Sequence, residues 1–550
     1  MPKLKKYHRK KSLMRKLTAL LGAATGLLLA ASSVWSAERI QFFYGPFEPT
    51  IYVDDLERFA ETGEVVDRLE VLTDWLSAEQ EISLRRFLTA RYDIDLVSIS
   101  QFAYSPLGDE LLRSLGDIVQ TDNFLNGGKA LRAALIAVAA EEEGITVIDI
   151  LQQYHLRTVQ IDFSRLQSLL AESEQTIQDR ESIIAKIIEQ SQMQAMGGIS
   201  PTYSEADPQY AGIYSWQLQT IHFQKPNRAA EALADIYYPI VSETDSKSIP
   251  VIVISHGLAS NRTALAYLAR HFASHGYGVV VPEHIGTNTN TFNRFLNGVE
   301  SPPSPDEFVL RPQDITAILD ALVAKQEVDP SLARWDLSSV GILGHSLGGY
   351  TALSAGGAPI NQDSLSEACT ALSSWIPINP SMLIQCELSD LSSSMTEVAD
   401  PRIKAVIALN PLSSHVLGQS SLQQIKIPVM IVAGENDVFT PAVPEQIEPF
   451  SWLTTRNKKL VLIEQGTHFS LLGNASSQRI LPLPSDAIGP DPHEARPQIQ
   501  ALSLAFFNQH IKGQPDAEAF LNQLYLNEFP TEPFRFSIID HYPVRSGELR

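Results

Sequence analysis

The chain has 550 residues, a formal net charge of −21 at pH 7 and only two cysteines. This length exceeds what one hydrophobic core usually supports, so two globular units are expected. The acidity disfavours nucleic acid as a partner and also disfavours broad electrostatic attachment to anionic lipid, so any membrane contact should be peripheral and apolar.

Residues 1–37 have the composition of a secretory signal peptide. Residues 3–16 carry eight Lys or Arg and no acidic residue, an apolar run follows from Leu17 to Ala31, and small residues lie near Ser36 and Ala37. Removing this segment would change the formal charge from −21 to −29, because it carries those eight positive charges and no negative ones. We expect export to the periplasm or the extracellular space. An uncleaved membrane anchor is the alternative.

Residues 38–163 are predicted to form a mainly helical domain, in which no grouping of catalytic or ligand-binding side chains is visible. A capping-box pattern at Ser164–Gln167 opens a long predicted helix that ends at Gly197 and Gly198, within a linker of residues 164–202. Its apolar positions recur at helical spacing: Leu166, Leu170, Ile177, Ile184 and Ile188. We interpret the helix as a connector packed on both units, with a coiled-coil contact to a second chain as the alternative.

Residues 203–550 contain apolar strands that end in loops with polar residues, as in an open α/β sheet. The strand predicted at 250–255 ends in His256, Gly257 and Leu258. Gly257 permits a tight backbone turn at that point. We interpret His256 as a residue that braces the loop.

Three segments between the predicted core strands, residues 286–310, 360–400 and 479–492, are candidates for an apolar roof over a substrate. The alternative is that their apolar side chains only pack the loops onto the helices. These side chains are Phe292, Phe295, Leu296, Phe308, Leu481, Leu483 and Ile488. Cys369 and Cys386 lie in the second segment, and in an exported chain we expect them to form a disulfide. Two buried thiols are the alternative.

Gly344-His345-Ser346-Leu347-Gly348 has the composition of a nucleophile elbow, in which a Ser ends a buried strand on a sharp turn into a helix. The apolar run Val340–Leu343 precedes it, and the small-residue helix Gly349–Ala355 follows it. Glycines two residues before and two after the Ser let strand and helix approach closely. Ser346 is therefore the predicted nucleophile.

A nucleophilic Ser needs a base and an acid, which in this arrangement follow it in the order acid and then His. After Ser346, the apolar run Ile427–Ala433 leads to Asp437, and the run Lys459–Ile463 leads to His468. Both residues follow predicted strand ends, so Asp437 is predicted as the acid and His468 as the base. The alternatives are that Asp437 only caps a turn and that His468 is a structural histidine.

The oxyanion hole is predicted to use the backbone N–H groups of Leu347, the residue after the nucleophile, and of Leu258. No cofactor and no metal is predicted. His271 and His275 stand four residues apart on a predicted helix, but the general-base Glu of a zinc motif is missing.

Two further histidines, His284 and His415, are expected on loops near the site, where they are candidates for substrate contact.

Four stretches resemble the platelet-activating-factor acetylhydrolase and dienelactone-hydrolase branch of the α/β-hydrolases: Ser255–Leu258, Leu268–His284, Arg311–Asp314 and Gly344–Gly349. The resemblance covers roughly residues 205–515 and implies an α/β-hydrolase fold, with a mostly parallel sheet and helices on both faces. It also implies a serine enzyme that hydrolyses esters, with short acyl groups of phospholipids as the suggested substrates.

One position departs from that family. Its acid follows the strand after the elbow, whereas here the predicted strand Ile403–Leu409 ends in Asn410. An amide cannot stabilise an imidazolium as a carboxylate does. The acid is therefore placed at Asp437, as in bacterial lipases and cutinase-like polyesterases, which the stretch Glu435-Asn436-Asp437 also resembles.

The amino-terminal region resembles a domain of unknown function that precedes such hydrolases in cyanobacterial proteins. The resemblance lies in Tyr44–Pro46, Asp55–Phe59 and Ala130–Leu135. It implies no activity for this domain.

The combined expectation is an exported serine esterase that acts on short-acyl phospholipids or related lipid esters, with residues 203–550 as the hydrolase domain. The alternatives are a cutinase-like polyesterase or dienelactone-type hydrolase, and a catalytically inactive binding protein with the same fold. The expected partner is a small-molecule or lipid ester, and the sequence does not predict the oligomeric state.

Overall fold

The computed structural model describes residues 36–43, 48–70, 76–141, 144–197, 207–225, 231–242, 247–372, 379–389, 398–473 and 485–542. The predicted signal segment lies outside these residues up to position 35, as do Leu481 and Leu483 of the third predicted roof segment. Contacts divide the chain into two compact units, residues 1–92 with 116–164 and residues 93–115 with 165–550. The predicted domain boundaries at residues 163 and 202 stay predictions.

The strands are β1 Arg39–Phe43, β2 Thr50–Tyr52, β3 Val119–Gln120, β4 Thr158–Asp162, β5 Trp216–Phe223, β6 Ala232–Pro239, β7 Ile249–Ser255, β8 Gly278–Pro282, β9 Trp335–His345, β10 Ile403–Leu409, β11 Val429–Gly434, β12 Lys458–Glu464 and β13 Arg535–Ile539. The helices are α1 Val53–Thr62, α2 Ala78–Thr89, α3 Leu96–Tyr104, α4 Pro106–Ile118, α5 Gly128–Ala139, α6 Val147–Gln152, α7 Phe163–Ala195, α8 Ala266–Ser274, α9 Thr289–Leu296, α10 Glu307–Gln326, α11 Leu347–Ala355, α12 Gln362–Leu372, α13 Ser381–Cys386, α14 Ser414–Leu422, α15 Glu448–Trp452, α16 Ser485–Ile488, α17 Arg496–His510 and α18 Gln523–Leu526.

The first unit is mainly helical and also contains a small mixed sheet with the strand order β2-β1-β4-β3. β1 pairs antiparallel with β2 and parallel with β4. This sheet was not predicted, because strands of two to five residues are too short to show a clear alternation. Its core includes the buried side chains of Leu56, Phe59, Ala134 and Val159.

The second unit is built on a nine-stranded sheet with the order β13-β12-β11-β10-β9-β7-β8-β6-β5. The six strands from β8 to β12 in this order run parallel. The flanking pairs β5 with β6, β6 with β8 and β12 with β13 are antiparallel. The parallel strands therefore end at one common edge, where the loops that carry the predicted site residues begin.

Helices cover both faces of this sheet, which explains why its strands are continuously apolar. Val251 and Val253 of β7 face a core that includes α10, α11 and α14. Ile252 and Ile254, between and after them, face a second core that includes α8 and α17. Successive side chains of a strand point to opposite faces, so both sets must be buried.

The long helix α7 is buried only along its carboxyl-terminal half. Ile184 and Ile187 join the core of the hydrolase sheet, whereas Leu170 and Ile177 are exposed. The helix begins at Phe163, so Ser164 lies in its first turn rather than at the predicted N-cap position. The predicted coiled-coil contact to a second chain stays a prediction.

Residues 93–115 group with the hydrolase sheet, although the sequence analysis assigned them to the amino-terminal domain. Asp95 caps α3 by accepting hydrogen bonds from the N–H groups of Val97 and Ser98. α3 packs against α9, and a Cβ atom at Gly298, just after α9, would lie 3.0 Å from Gln101 Nε2. The unit that holds the predicted site is therefore completed by a segment from far upstream.

Cys369 on α12 and Cys386 at the end of α13 form a disulfide, with Cα atoms 5.5 Å apart. The predicted pairing is confirmed. Among the helices of the described residues, none is both long and apolar enough to cross a membrane.

Candidate active site

Ser346 lies on a strained turn between β9 and α11. Its φ is 57° and its ψ is −124°, values that a residue with a Cβ atom rarely adopts. A Cβ atom at Gly344 would lie 2.0 Å from the Gly348 carbonyl oxygen, and one at Gly348 would lie 2.2 Å from the Ser255 carbonyl oxygen. Both glycines are thus required by close backbone contact. Within residues 340–355, all of which the structure describes, Ser346 is the one residue that is not buried. The turn separates it from its buried neighbours.

His468 and Asp437 meet at the same edge of the sheet, in the loops after β12 and β11. His468 Nδ1 lies 2.7 Å from Asp437 Oδ2, and both residues are buried. Asp437 Oδ1 accepts hydrogen bonds from the backbone N–H groups of Phe439 and Thr440 at 2.9 and 2.8 Å. The carboxylate is therefore held in one orientation towards the imidazole.

Two residues that the sequence analysis did not assign to the acid complete its surroundings. The Thr440 hydroxyl donates to Asp437 Oδ2 at 2.8 Å. Asn410 Nδ2 donates to the same oxygen at 2.9 Å and to the Thr467 carbonyl oxygen at 3.2 Å. Asn410, which stands where the resemblance to the acetylhydrolases would place an acid, thus binds the carboxylate that follows β11. The feature that could have indicated this role is the position of Asn410 at the end of β10, which pairs with β11.

The loop after β7 runs alongside Ser346. A Cβ atom at Gly257 would lie 3.3 Å from Ser346 Cβ. The N–H of Ala259 donates to the Thr287 carbonyl oxygen at 2.8 Å. Among the described residues, the backbone N–H groups of Leu258 and Leu347 have no hydrogen-bond acceptor. Both are therefore available to a ligand oxygen, as an oxyanion hole requires.

Backbone strain is concentrated at this edge of the sheet. Ala259, Ser346, Asn410 and Gln465 have φ values of 55°, 57°, 43° and 59°. Each follows the carboxyl end of a parallel strand of the nine-stranded sheet. Such conformations cost about 1–3 kcal/mol each and persist where the surrounding structure enforces them.

His345 and two phenylalanines surround His468. The His345 Nε2–H group donates to the His468 carbonyl oxygen at 2.8 Å, and burial, with a contribution from His468, lowers the pKa of His345 to about 3. His345 is therefore neutral at neutral pH. The rings of Phe439 and Phe469 lie 5.4 and 5.7 Å from the His468 ring. They give the base an apolar wall on two sides.

His284 was a candidate for substrate contact, but its side chain is buried. Its exposed fraction is 0%, and its Nδ1 lies 2.9 Å from Oδ2 of Asp314 on α10. His415 lies on α14 rather than on a loop, is partly buried, and its Nδ1 lies 3.2 Å from Ser364 Oγ.

The rings of His271 and His275 bind backbone carbonyl groups. His271 Nε2 lies 3.0 Å from the Pro208 carbonyl oxygen, and His275 Nε2 lies 3.0 Å from that of Tyr210. Within the described part of the chain, no group of three or more His, Cys, Asp or Glu side chains is arranged to hold a metal ion.

Most of the predicted roof side chains of residues 286–310 are packed inside the protein. Phe295, Leu296 and Phe308 are buried, and Phe308 packs edge-on against Tyr350 with ring centroids 4.8 Å apart. Only Phe292 is partly exposed. For this segment the packing interpretation is therefore correct.

Two family models match the chain. Residues 36–162 match an α/β hydrolase family of unknown function, DUF1400, and residues 198–401 match a PET hydrolase-like family. No curated protein matches the chain. The matches reproduce the predicted order of a domain of unknown function followed by a hydrolase. Together with the mostly parallel sheet, they show an α/β-hydrolase fold, and the second match supports hydrolysis of ester substrates.

Proposed function

We propose that this chain, with its α/β-hydrolase fold, is an exported serine hydrolase of carboxylic esters that uses Ser346, His468 and Asp437. The observation that carries the proposal is the 2.7 Å hydrogen bond between His468 Nδ1 and Asp437 Oδ2, at the sheet edge where the strained Ser346 turn also lies. This combination supplies a nucleophile, a base and an acid in the chain order of the fold.

The reaction follows from these contacts. Ser346 Oγ attacks the ester carbonyl carbon while His468 Nε2 takes the hydroxyl proton, since Nδ1 is bound to Asp437. The Leu258 and Leu347 N–H groups bind the oxyanion. His468 then protonates the leaving alcohol. A water molecule, deprotonated by His468, attacks the acyl carbonyl carbon, and His468 returns the proton to Ser346 Oγ as the acid is released.

The substrate class that we favour is a polyester or another neutral, apolar ester. The PET hydrolase-like match supports it, and so do Phe439 and Phe469 beside the base, with Val438 half exposed next to the acid. Such side chains bind apolar or aromatic groups and offer no charge to a headgroup.

Short-acyl phospholipids are the second candidate. They are favoured by the resemblance of Ser255–Leu258 and Arg311–Asp314 to the acetylhydrolases.

Export is supported by the disulfide between Cys369 and Cys386, because such bonds persist in oxidising compartments. Alkylation of secreted protein without reductant, followed by intact mass analysis, should find no modified thiol. Two alkylated cysteines in fully exported protein would contradict this part of the proposal.

The proposal is tested by labelling the protein with a fluorophosphonate and mapping the adduct. We expect one adduct, on Ser346. Turnover is then compared on nitrophenyl esters of increasing acyl length, on polyester film and on a short-acyl phospholipid. Absence of both labelling and turnover would indicate the third possibility, an inactive binding protein. Activity restricted to the phospholipid would overturn the substrate class that we favour.

A further inference from the structure

A second set of Ser, His and Asp lies beneath the loop after β7, and its three side chains are linked by hydrogen bonds. Ser255 Oγ lies 2.9 Å from His284 Nε2, and His284 Nδ1 lies 2.9 Å from Asp314 Oδ2. The exposed fractions of these residues are 0%, 0% and 2%. Because no substrate can reach Ser255 Oγ, this set does not act as a nucleophile and base.

Two buried cations fix this second set. Lys225 Nζ donates to Asp314 Oδ2 at 2.6 Å and to the Glu283 carbonyl oxygen at 3.0 Å. Arg311, fully buried, donates to the His256 carbonyl oxygen and to Thr287 Oγ1. Buried charges are costly and need close partners, so groups that bind them are held rigidly. The cations therefore join α10 firmly to the loops after β7 and β8.

His256 connects this cluster to the predicted oxyanion hole. The backbone N–H of His284 donates to His256 Nε2 at 3.0 Å, and His256 Nδ1–H donates to the Gly257 carbonyl oxygen at 2.8 Å. The first contact requires Nε2 without a proton and the second requires a proton on Nδ1, so one neutral tautomer satisfies both. Burial, together with Arg311 and His284, also lowers the pKa of His256 well below its usual value.

The Gly257 carbonyl group belongs to the same peptide unit as the Leu258 N–H. A trans peptide is planar, and its C=O and N–H bonds point in opposite directions. When His256 holds the carbonyl on one side, the Leu258 N–H must point away from the imidazole. Among the described residues this N–H has no hydrogen-bond partner, and Gly257 lies against Ser346.

We propose that His256 is a positioning residue that orients the Leu258 N–H towards the reacting oxygen, and that His284, Asp314, Lys225 and Arg311 hold His256 in place. This proposal rests on the proposed function, because an oxyanion donor acts only in an acyl-transfer reaction. It assigns the Arg311–Asp314 stretch of the sequence to support of the oxyanion hole.

The kinetic consequence is specific. An oxyanion donor binds the transition state more strongly than the ester, so misorientation lowers kcat and leaves KM nearly unchanged. Removing one such donor costs about 10²–10³ in kcat in other serine hydrolases. A residue that only stabilises the fold would lower stability without changing kcat per active site.

The test compares two variants, each of which retains a polar group at the position of one imidazole nitrogen. His256→Asn places an amide donor near the Nδ1 position and keeps the bond to the Gly257 carbonyl oxygen. His256→Gln places an amide near the Nε2 position and loses that bond. We expect kcat on a nitrophenyl ester to fall about 100-fold in the Gln variant and less than about 10-fold in the Asn variant. KM should change by less than about 3-fold in both.

Three measurements accompany the rates. The endpoint of fluorophosphonate labelling counts the folded active sites, so kcat is expressed per labelled Ser346. Affinity for a trifluoromethyl ketone, which forms a tetrahedral oxyanion adduct, should fall in proportion to kcat. His271→Gln is the matched control, because His271 is also buried and bonded to a backbone carbonyl, and its kcat should equal that of the parent.

Two outcomes overturn the proposal: an unchanged kcat per labelled site in His256→Gln, or equal losses in the Gln and Asn variants. If the Gln variant does not fold, Ser255→Ala replaces it, because removal of this hydroxyl loosens His284 while the His256 ring remains. An unchanged kcat and unchanged ketone affinity there would overturn the role of the cluster. A parent that is neither labelled nor active would instead overturn the proposed function.

Discussion

The chain contains two sets of Ser, His and Asp in which the carboxylate binds the histidine Nδ1 atom, yet only one of the two serines is not fully buried. Ser346 reaches solvent at a strained turn, whereas Ser255 is fully buried at the end of β7. In each set a carboxylate oxygen lies within 2.9 Å of the histidine Nδ1 atom. A hydrogen bond between histidine and a carboxylate is therefore, by itself, a poor criterion for a catalytic site.

The two acids differ in their partners more than in their distances. Asp437 is bound by backbone N–H groups, the Thr440 hydroxyl and the Asn410 amide, which are all neutral. Asp314 is bound by the Lys225 ammonium at 2.6 Å. A carboxylate that already faces a cation stabilises a neighbouring imidazolium less, since the nearby positive charge opposes protonation. An acid with neutral donors is thus suited to catalysis, and an acid with a cation is suited to support.

The largest expected difference between the two sets is the difference in turnover between the Ser346→Ala and Ser255→Ala variants. Removal of the Ser346 hydroxyl should lower turnover by about 10³–10⁶, because triad members act as a unit. The Ser255 change should lower kcat measurably but by less than about 10-fold, since it removes only a supporting contact. Steady-state rates on one nitrophenyl ester decide this. Near-normal activity of Ser346→Ala would remove the basis for the assigned nucleophile.

The next largest effect is expected at the acid. Asp437→Asn should lower turnover by about 10⁴, by analogy with other triads, because the amide cannot stabilise the imidazolium. Asn410→Ala should be mild, as it removes one of several donors to the carboxylate. Rescue of Asp437→Asn by Asn410→Asp would show that the site can use an acid on either strand. An Asp437→Asn enzyme as active as the parent would refute the assigned acid.

For the free energy of unfolding, the large effect is expected in the buried set, which contains Asp314. Lys225→Met takes the ammonium away from the buried Asp314 carboxylate and should lower the free energy of unfolding by about 3–5 kcal/mol. Urea unfolding measures the loss. Adding Asp314→Asn should restore part of it, because the uncompensated charge is then absent. Equal stability of Lys225→Met and the parent would show that the buried pair is not needed to hold the loops.

The remaining prediction concerns pH. Burial lowers the pKa of His345 to about 3, whereas a histidine in the unfolded chain has a pKa near 6.5. The contribution of the neutral His345 to the free energy of unfolding is therefore fully present above pH 6.5. As the pH falls towards 3, the unfolded state binds the proton first and the contribution is lost, by up to about 1.4 kcal/mol per pH unit. Urea unfolding of the parent at several pH values should show this slope. The slope of His345→Gln should be shallower, and identical slopes would contradict the buried neutral state.

The parts of the site that were predictable from sequence are those set by local chain geometry. The elbow glycines, the strand before Ser346 and the strand ends before Asp437 and His468 are continuous in sequence, so their pattern is visible there. Asn410 and Thr440 were missed as ligands of the acid because their role depends on which strands are neighbours in the sheet. The burial of His284 was not predicted, because it depends on distant contacts such as that with Asp314 on α10.

The fold shows the same division. The mostly parallel sheet follows from its apolar strands, but the short strands of the first unit carry too little alternation to be recognised. The grouping of residues 93–115 with the hydrolase sheet depends on the distant contact between α3 and α9. No local pattern in the amino-terminal sequence predicts that contact.

That contact has a consequence for biosynthesis. α3 leaves the ribosome long before α9, so its packing surface, which includes Val97 and Gln101, must wait for its partner. The first unit is also incomplete until residues 116–164 follow the segment that belongs elsewhere. Contacts between distant parts of a chain delay folding. Such a delay fits the proposed export, because a chain that starts to fold late stays extended during translocation.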